Sequence, residues 1–343
     1  MCRRSNLFAR ANIKQSLGVI DLNNNIRNLA IIAHVDHGKT TLVDALLKQS
    51  KVFRENQDVG ELIMDSNPLE RERGITILSK NTAVHHNCVK INIIDTPGHS
   101  DFGGEVERIM NMADGCLLLV DAVDGPMPQT QYVLKTALNQ NVKPLVVINK
   151  IDRPEARAEE VLELVQDLFL ELATTAEQLD FSVLYSSAKE GYAMTSLEST
   201  RENMQPLLDA IVEDIPAPEG DENEPMKLLV AALDYDNYLG QIAIGRVFQG
   251  KILTKNPVLR LAPDEEAKIH TLEKLFVFNG LQRTEVAEAS VGDIVAIAGV
   301  EDVSIGDTIS SDEDMVPLQT IKIEEPTVKM TFGVNTSPLM GRE

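Results

Sequence analysis

"AHVDHGKTT", residues 33–41, is the stretch on which the fold turns. It joins an apolar run, "NLAIIAHV" (28–35), to an amphipathic one, "KTTLVDALLKQS" (39–50), in which Leu42/Leu46 and Val43/Leu47 recur one helical turn apart. Strand, tight turn and helix form the setting of a phosphate-binding loop. The strict pattern is G-x-x-x-x-G-K-[ST]; Ala33 takes the first glycine slot, and Gly38, Lys39 and Thr40 fit the rest. Backbone N–H groups of the loop and the helix N-terminus, over Asp36, His37, Gly38, Lys39, Thr40 and Thr41, are expected to hold the phosphates. Lys39 would reach the β and γ oxygens, and the Thr40 hydroxyl would ligate Mg²⁺. Asp36 is the anomaly, because an anion-binding loop tolerates a carboxylate only if it points away from the phosphates.

Three further motifs follow in order, each where an apolar run ends. In "INIIDTPGH" (91–99), Asp95 closes a strand and is placed to hold Mg²⁺, often through water. Gly98 has no side chain to stop its N–H turning toward a γ-phosphate, and His99 points where an attacking water would sit. In "VINKID" (147–152), Asn149 and Asp152 suit guanine: the carboxylate accepts from N1–H and the 2-amino group, which adenine lacks. Lys150 would lay its stem along the base. In "YSSAKEG" (185–191), the amides of Ser187 and Ala188 would meet the guanine oxygen. Between the first two motifs, "MDSNPLERERGITILSK" (64–80) contains Thr76, which would complete the Mg²⁺ shell with GTP and release it after hydrolysis. Together these motifs imply a domain that takes GTP and GDP with Mg²⁺. Lys39, Thr76 and His99 are its catalytic candidates.

Strand-like runs alternate with helical ones up to residue 215. "ITILSKNTAV" and "CVKINIID" flank the turn-like "HHN" as a hairpin, and "GCLLLVDA", "PLVVINK" and "FSVLY" are further strands. Helical faces fall over about 129–140, from Val161, and at Met204, Leu207, Leu208, Ile211 and Val212. The fold class expected is an α/β P-loop GTPase domain, mostly parallel with one antiparallel strand, followed by a small all-β barrel. The boundaries expected are an N-terminal extension (1–25), a GTP-binding domain (26–215), a linker (216–225), the barrel (226–316), and a linker with the truncated start of a third domain (317–343). His85 and His86 read as turn residues with no carboxylate or cysteine nearby, not as a metal site.

Composition excludes several classes. The 32 basic and 53 acidic residues give a net charge of -21, which disfavours loose polyanion binding and gives no support for a DNA partner. No apolar run is long enough to span a bilayer, so no membrane partner is expected. The scattered Cys2, Cys88 and Cys116 suit a reducing compartment without a disulfide framework or a zinc site. The basic, acid-poor leader 1–20 admits organellar targeting, but a cytoplasmic location is preferred.

"AHVDHGKTTL", "RERGITI", "DTPGHSDFGGEVER", "DGPMPQT" and "NKID" together resemble the translational GTPases. "MDSNPLERERGITI", "LDYDNYLGQIAIGRV" and "EPTVKMTFGVNTSPLMGRE" narrow the resemblance to the TypA/BipA family, from about residue 26 onward. It implies a ribosome-stimulated GTP hydrolase acting in stress or cold adaptation and in ribosome assembly. It also implies rRNA and ribosomal proteins as partners, contacted partly through further C-terminal domains, and a monomer is expected. His99 would orient the attacking water, and Asp36 would help hold a monovalent cation, K⁺, beside the phosphates. Two alternatives stay open: a GTPase subunit of a sulfate-activating enzyme, and a GTP-sensing assembly module with negligible hydrolysis.

Overall fold

The computed structural model describes residues 25–50, 80–96, 103–262, 266–312 and 316–318. The first layer of structure is a seven-stranded sheet. Its strands are β1 (Ile26–Ala33), β2 (Lys80–His86), β3 (Val89–Asp95), β4 (Gly115–Asp121), β5 (Lys143–Asn149), β6 (Ser182–Ser187) and β7 (Tyr192–Met194). They lie in the order β2-β3-β1-β4-β5-β6-β7. The five central strands are parallel, so all their C-terminal ends open on one edge. Two strands are antiparallel rather than the one expected, since the short β7 folds back on β6 as β2 does on β3. Three residues carry too little periodicity to announce a strand. The β2–β3 turn places Asn87 and Cys88 at φ 47° and 66°, both in the left-handed region that a tight hairpin requires.

Among the described residues five α-helices cover this sheet: α1 (Lys39–Gln49), α2 (Gly103–Met112), α3 (Pro128–Asn139), α4 (Ala158–Leu172) and α5 (Gln205–Asp214). Alternation along β1 divides the core between its faces. Leu29 and Ile31 pack with Leu42, Leu46, Leu207 and Ile211 of α1 and α5. Ala30 and Ile32 pack with Val106, Leu134, Val161 and Phe169 of α2, α3 and α4. A strand buried on both faces reads as a continuous apolar run, which is how β1, β4 and β5 appear in the sequence. Each buried Leu or Ile contributes roughly 1.5–3 kcal/mol relative to exposure.

The second unit holds β8 (Lys227–Asp236), β9 (Gly240–Gln249), β10 (Lys251–Leu253), β11 (Pro257–Leu261), β12 (Lys268–Thr271), β13 (Lys274–Asn279), β14 (Gln282–Glu285), β15 (Glu288–Ser290), β16 (Ile294–Ala298) and β17 (Thr308–Ser310). Eight of them form one antiparallel sheet, β12-β11-β17-β8-β9-β16-β13-β14, and β10 pairs with β15. This is the small all-β unit expected after the first domain, wrapped around a core of Leu228, Val230, Val247, Leu275, Val295 and Ile309.

Two differences from the sequence reading concern packing. The start of the stretch read as a linker is packed: Ala217 and Pro218 are buried, and Pro218 lies where a side chain at Gly292 (φ 86°) would stand. His86 has a carboxylate partner after all, its Nε2 lying 2.6 Å from Asp209 Oδ1 on α5. Cys116 is a free buried thiol, pushed up to about 12 by burial.

The two units also share a core. Ala231, Ile242, Ile244, Ile294 and Ala296 of the second pack into the cluster that holds Val106, Ile109 and Met110 of α2. A polar seam runs beside it. Asn92 donates to Asn28 at 2.8 Å, Asn28 donates to Asp114 at 2.9 Å, and Arg246 reaches Asp114 at 2.6 Å and the Met112 carbonyl at 3.2 Å. Asn28 also donates to the Gly292 carbonyl, and Lys90 pairs with Asp293 at 2.9 Å.

Candidate functional site

The site lies where β1, β3, β4, β5 and β6 end, the edge at which parallel α/β sheets bind ligands. After β1 the chain turns through Asp36 (φ 66°) and Gly38 (φ 94°) into α1, with the His37 N–H donating to the His34 carbonyl at 3.2 Å. Two left-handed residues in one turn aim successive amides into the same space, as an anion-binding loop needs. A Cβ at Gly38 would stand 2.6 Å from Asn149 Nδ2, so this position has room for glycine alone. Asp36 is exposed, while its carbonyl accepts from Lys150 at 2.5 Å.

Lys39 opens α1 with its ammonium turned back across the loop. Its Nζ is 3.0 Å from Asp95 Oδ1, and it donates to the Thr96 carbonyl. Both side chains are almost fully buried. This pair is a charge store: a buried ammonium and carboxylate persist together because either alone would be costly. Thr40 lies on the first turn of α1, and its hydroxyl and the Asp95 carboxylate are hard oxygen donors of the kind that could hold Mg²⁺. His37 is buried, its Nδ1 3.3 Å from the Leu119 carbonyl. Burial pushes its ring below the ordinary imidazole range, only partly opposed by that carbonyl and by Asp121, which keeps it neutral.

Asn149, the last residue of β5, acts here as a clamp between loops. Its Nδ2 donates to the His37 carbonyl at 2.9 Å, and its Oδ1 accepts from the Ser186 hydroxyl and the Ala188 amide, each at 3.0 Å. The sequence reading gave Asn149 to the base and the Ala188 amide to the guanine oxygen; in the structure these two groups face one another. Ser187 is buried, and its Oγ accepts from the Glu190 amide at 3.2 Å. Lys150 (φ 64°) bends the chain so that the half-buried Asp152 follows on the open side of the strand end.

Of the residues singled out in the sequence, Asp36, His37, Gly38, Lys39, Thr40, Thr41, Asp95, Asn149, Lys150, Asp152, Ser187 and Ala188 gather on this edge. Thr76, Gly98 and His99 lie outside the described residues. Sequence reasoning missed Asp121, whose fully buried carboxylate lies 2.6 Å from Lys150 Nζ. A signal was present: "GCLLLVD" ends in an acid, just as the strand before Asp95 does.

A GTP-binding fold with the phosphate, Mg²⁺ and base loops on one sheet edge is therefore what sequence and geometry define together. The elongation factor Tu GTP binding domain matches residues 24–217, and elongation factor Tu domain 2 matches residues 240–310. The chain belongs to the elongation factor Tu GTP-binding family. It is 54% identical over 322 residues to the large ribosomal subunit assembly factor BipA of Bacillus subtilis (strain 168), a match that covers 94% of this chain and 53% of that protein. It is 51% identical over 325 residues to the putative elongation factor TypA-like SVR3, chloroplastic, of Arabidopsis thaliana, covering 94% of this chain and 48% of that one. The chain thus spans about half the length of these relatives. The bacterial selenocysteine-specific elongation factor EF-Sec shares the fold, with a TM-score of 0.64 at 23% identity over 83% of this chain and 44% of its own. Among the described residues no helix is long and apolar enough to cross a membrane.

Proposed function

We propose that this chain binds GTP with Mg²⁺ and hydrolyses it to GDP and phosphate, as a ribosome-stimulated switch in assembly of the large ribosomal subunit. One observation carries the reading: the Lys39–Asp95 pair and the Asn149 clamp lie on a single sheet edge, in a chain about half identical to BipA proteins. In this reading Lys39 leaves Asp95 for the β and γ oxygens when nucleotide enters. The loop amides from Asp36 to Thr41 receive the phosphates. Asp152 accepts from the guanine N1–H and 2-amino group, Lys150 flanks the base, and the Ser187 amide meets its oxygen while the Ala188 amide stays with Asn149. Mg²⁺, held by Thr40 and Asp95 with Thr76, would supply positive charge against the developing phosphate charge. Gly98 contributes an amide to the γ-phosphate, and His99 orients water.

The organisation proposed is a GTP-binding domain over 26–215, a connecting segment 216–225, a β unit over 226–316 and the start of a third domain at 317–343. The working form is a monomer in the cytoplasm that contacts ribosomal RNA and proteins. K⁺ beside Asp36 is part of the proposal, and hydrolysis that is indifferent to K⁺ would remove it.

The test is GTP turnover with and without ribosomes, for the natural sequence and for His99→Ala. Ribosomes should stimulate the first strongly, while His99→Ala binds GTP and is not stimulated. Turnover in the natural sequence that ignores ribosomes would overturn the reading.

A further inference from the structure

Asp121 ends β4 in register with Asn149 of β5, and its side chain is fully buried. Its Oδ2 stands 2.6 Å from Lys150 Nζ, and its Oδ1 accepts from the Val123 amide at 2.8 Å. The same Lys150 ammonium donates to the Asp36 carbonyl at 2.5 Å. Arg153 is the other cation near this carboxylate, 3.9 Å away and about half exposed. Lys150 and Asp36 both adopt left-handed backbone conformations, so both loops are bent toward this contact.

The arrangement asks why a carboxylate is buried here. A buried Asp is costly unless it is paired and hydrogen-bonded. Burial pushes the Asp121 carboxyl up, but Lys150 and the Val123 amide outweigh it and hold the group below the usual carboxylate range. The group is therefore ionised, and its partner is a lysine with a long, flexible stem that is 19% exposed. Untethered, that stem samples many rotamers, and ordering it on ligand binding costs about 0.5–1.5 kcal/mol.

We infer that Asp121 is a positioning residue for nucleotide binding, which fixes the Lys150 ammonium against the Asp36 carbonyl and so holds the phosphate and base loops in one register. This rests on the proposed reading of the site as a guanine-nucleotide site. Asp121 touches no nucleotide; it acts through Lys150, whose stem is then already extended when the base arrives. The link is ionic and adjustable, whereas the Asn149 clamp beside it is a neutral hydrogen-bonded one.

The experiment is a double-mutant cycle on the full chain, read as the dissociation rate of a fluorescent GDP. Asp121→Asn should release GDP roughly two- to twelvefold faster, the equivalent of the ordering cost above. In a Lys150→Met background the same substitution should add nothing, because the carboxylate has lost the group it positions. In turnover, the loss should fall on KM for GTP rather than on kcat, whereas a partly misfolded population would lower kcat. If Asp121→Asn does not fold, Asp121→Glu keeps the charge while displacing it by one methylene, and it too should release GDP faster. Natural release rates in the folded Asp variants, or effects that simply multiply in the cycle, overturn the inference. If Asp152→Asn redirects the chain to xanthosine nucleotides while the Asp121 variants behave as the natural sequence, only this inference falls. A natural chain that binds no GDP overturns both.

Discussion

Asn149 Nδ2 donates to the carbonyl of His37 at 2.9 Å, joining two loops that lie 112 residues apart in the chain. Its Oδ1 accepts from Ser186 and Ala188 in the same arrangement, so one side chain ties three strand ends. Asn149→Ala removes all three bonds and leaves buried partners unsatisfied, at about 1 kcal/mol each. GDP affinity should fall on the order of a hundredfold, as read by titration calorimetry. Affinity within about twofold of the natural chain would show that the loops are held by other contacts.

Asp152 is assigned to the donor edge of guanine. Asp152→Asn should weaken GTP binding and improve binding of xanthosine triphosphate, whose base accepts where guanine donates. Competition of the two nucleotides for a fluorescent analogue measures the exchange. Unchanged preference for GTP would remove Asp152 from the base site.

Arg246 and Asp114 form a buried ion pair at 2.6 Å between the two units. Arg246→Met removes the cation in direct contact with the carboxylate, leaving the more distant Arg27 and the Asn28 amide, and should cost about 3 kcal/mol in chemical denaturation. Burial raises the Asp114 carboxyl above its ordinary value, and Arg246 opposes that rise. A raised carboxyl binds its proton more tightly in the folded state, so its contribution is full at low pH and is lost as pH rises through the folded value. Removing Arg246 raises that value further, so the deficit of the variant should shrink as pH is lowered. A deficit independent of pH would mean that lost packing, not the exposed charge, carries the cost.

His37 is held neutral by burial, with His34, Lys150 and Asp121 as its charged or titratable neighbours. Its folded pKa lies below its unfolded value, so the unfolded state takes up a proton first as pH falls. Stability should be complete above about pH 6.5 and decline below it, toward the lowered folded value. His37→Gln should flatten the fall in unfolding midpoint between about pH 7.5 and pH 5.5. His85 shifts in the same direction and leaves a residual slope. A slope as steep in His37→Gln as in the natural chain would place the proton uptake elsewhere.

Much of the first unit is legible residue by residue. β1, β4 and β5 announce themselves because both faces are buried, and α1 and α4 because one face is apolar at helical spacing. The second unit is read less well. Its strands β12, β14 and β15 have three or four residues each, too short for alternation to stand out, and β12 and β14 are largely exposed. The short β7 escapes for the same reason.

The site divides along a similar line. Gly38, Lys39, Asp95 and Asp152 are found from the chain because each sits in a local motif whose chemistry depends on its near neighbours. The partners of Asn149, the Asp121–Lys150 pair and the Arg246–Asp114 seam join residues from 29 to 132 positions apart. Local pattern determines which strand, turn and helix form and which donors each loop carries. Register, the packing of the two units and the choice of ionic partner depend on which strand ends come to lie side by side, and only the folded sheet decides that.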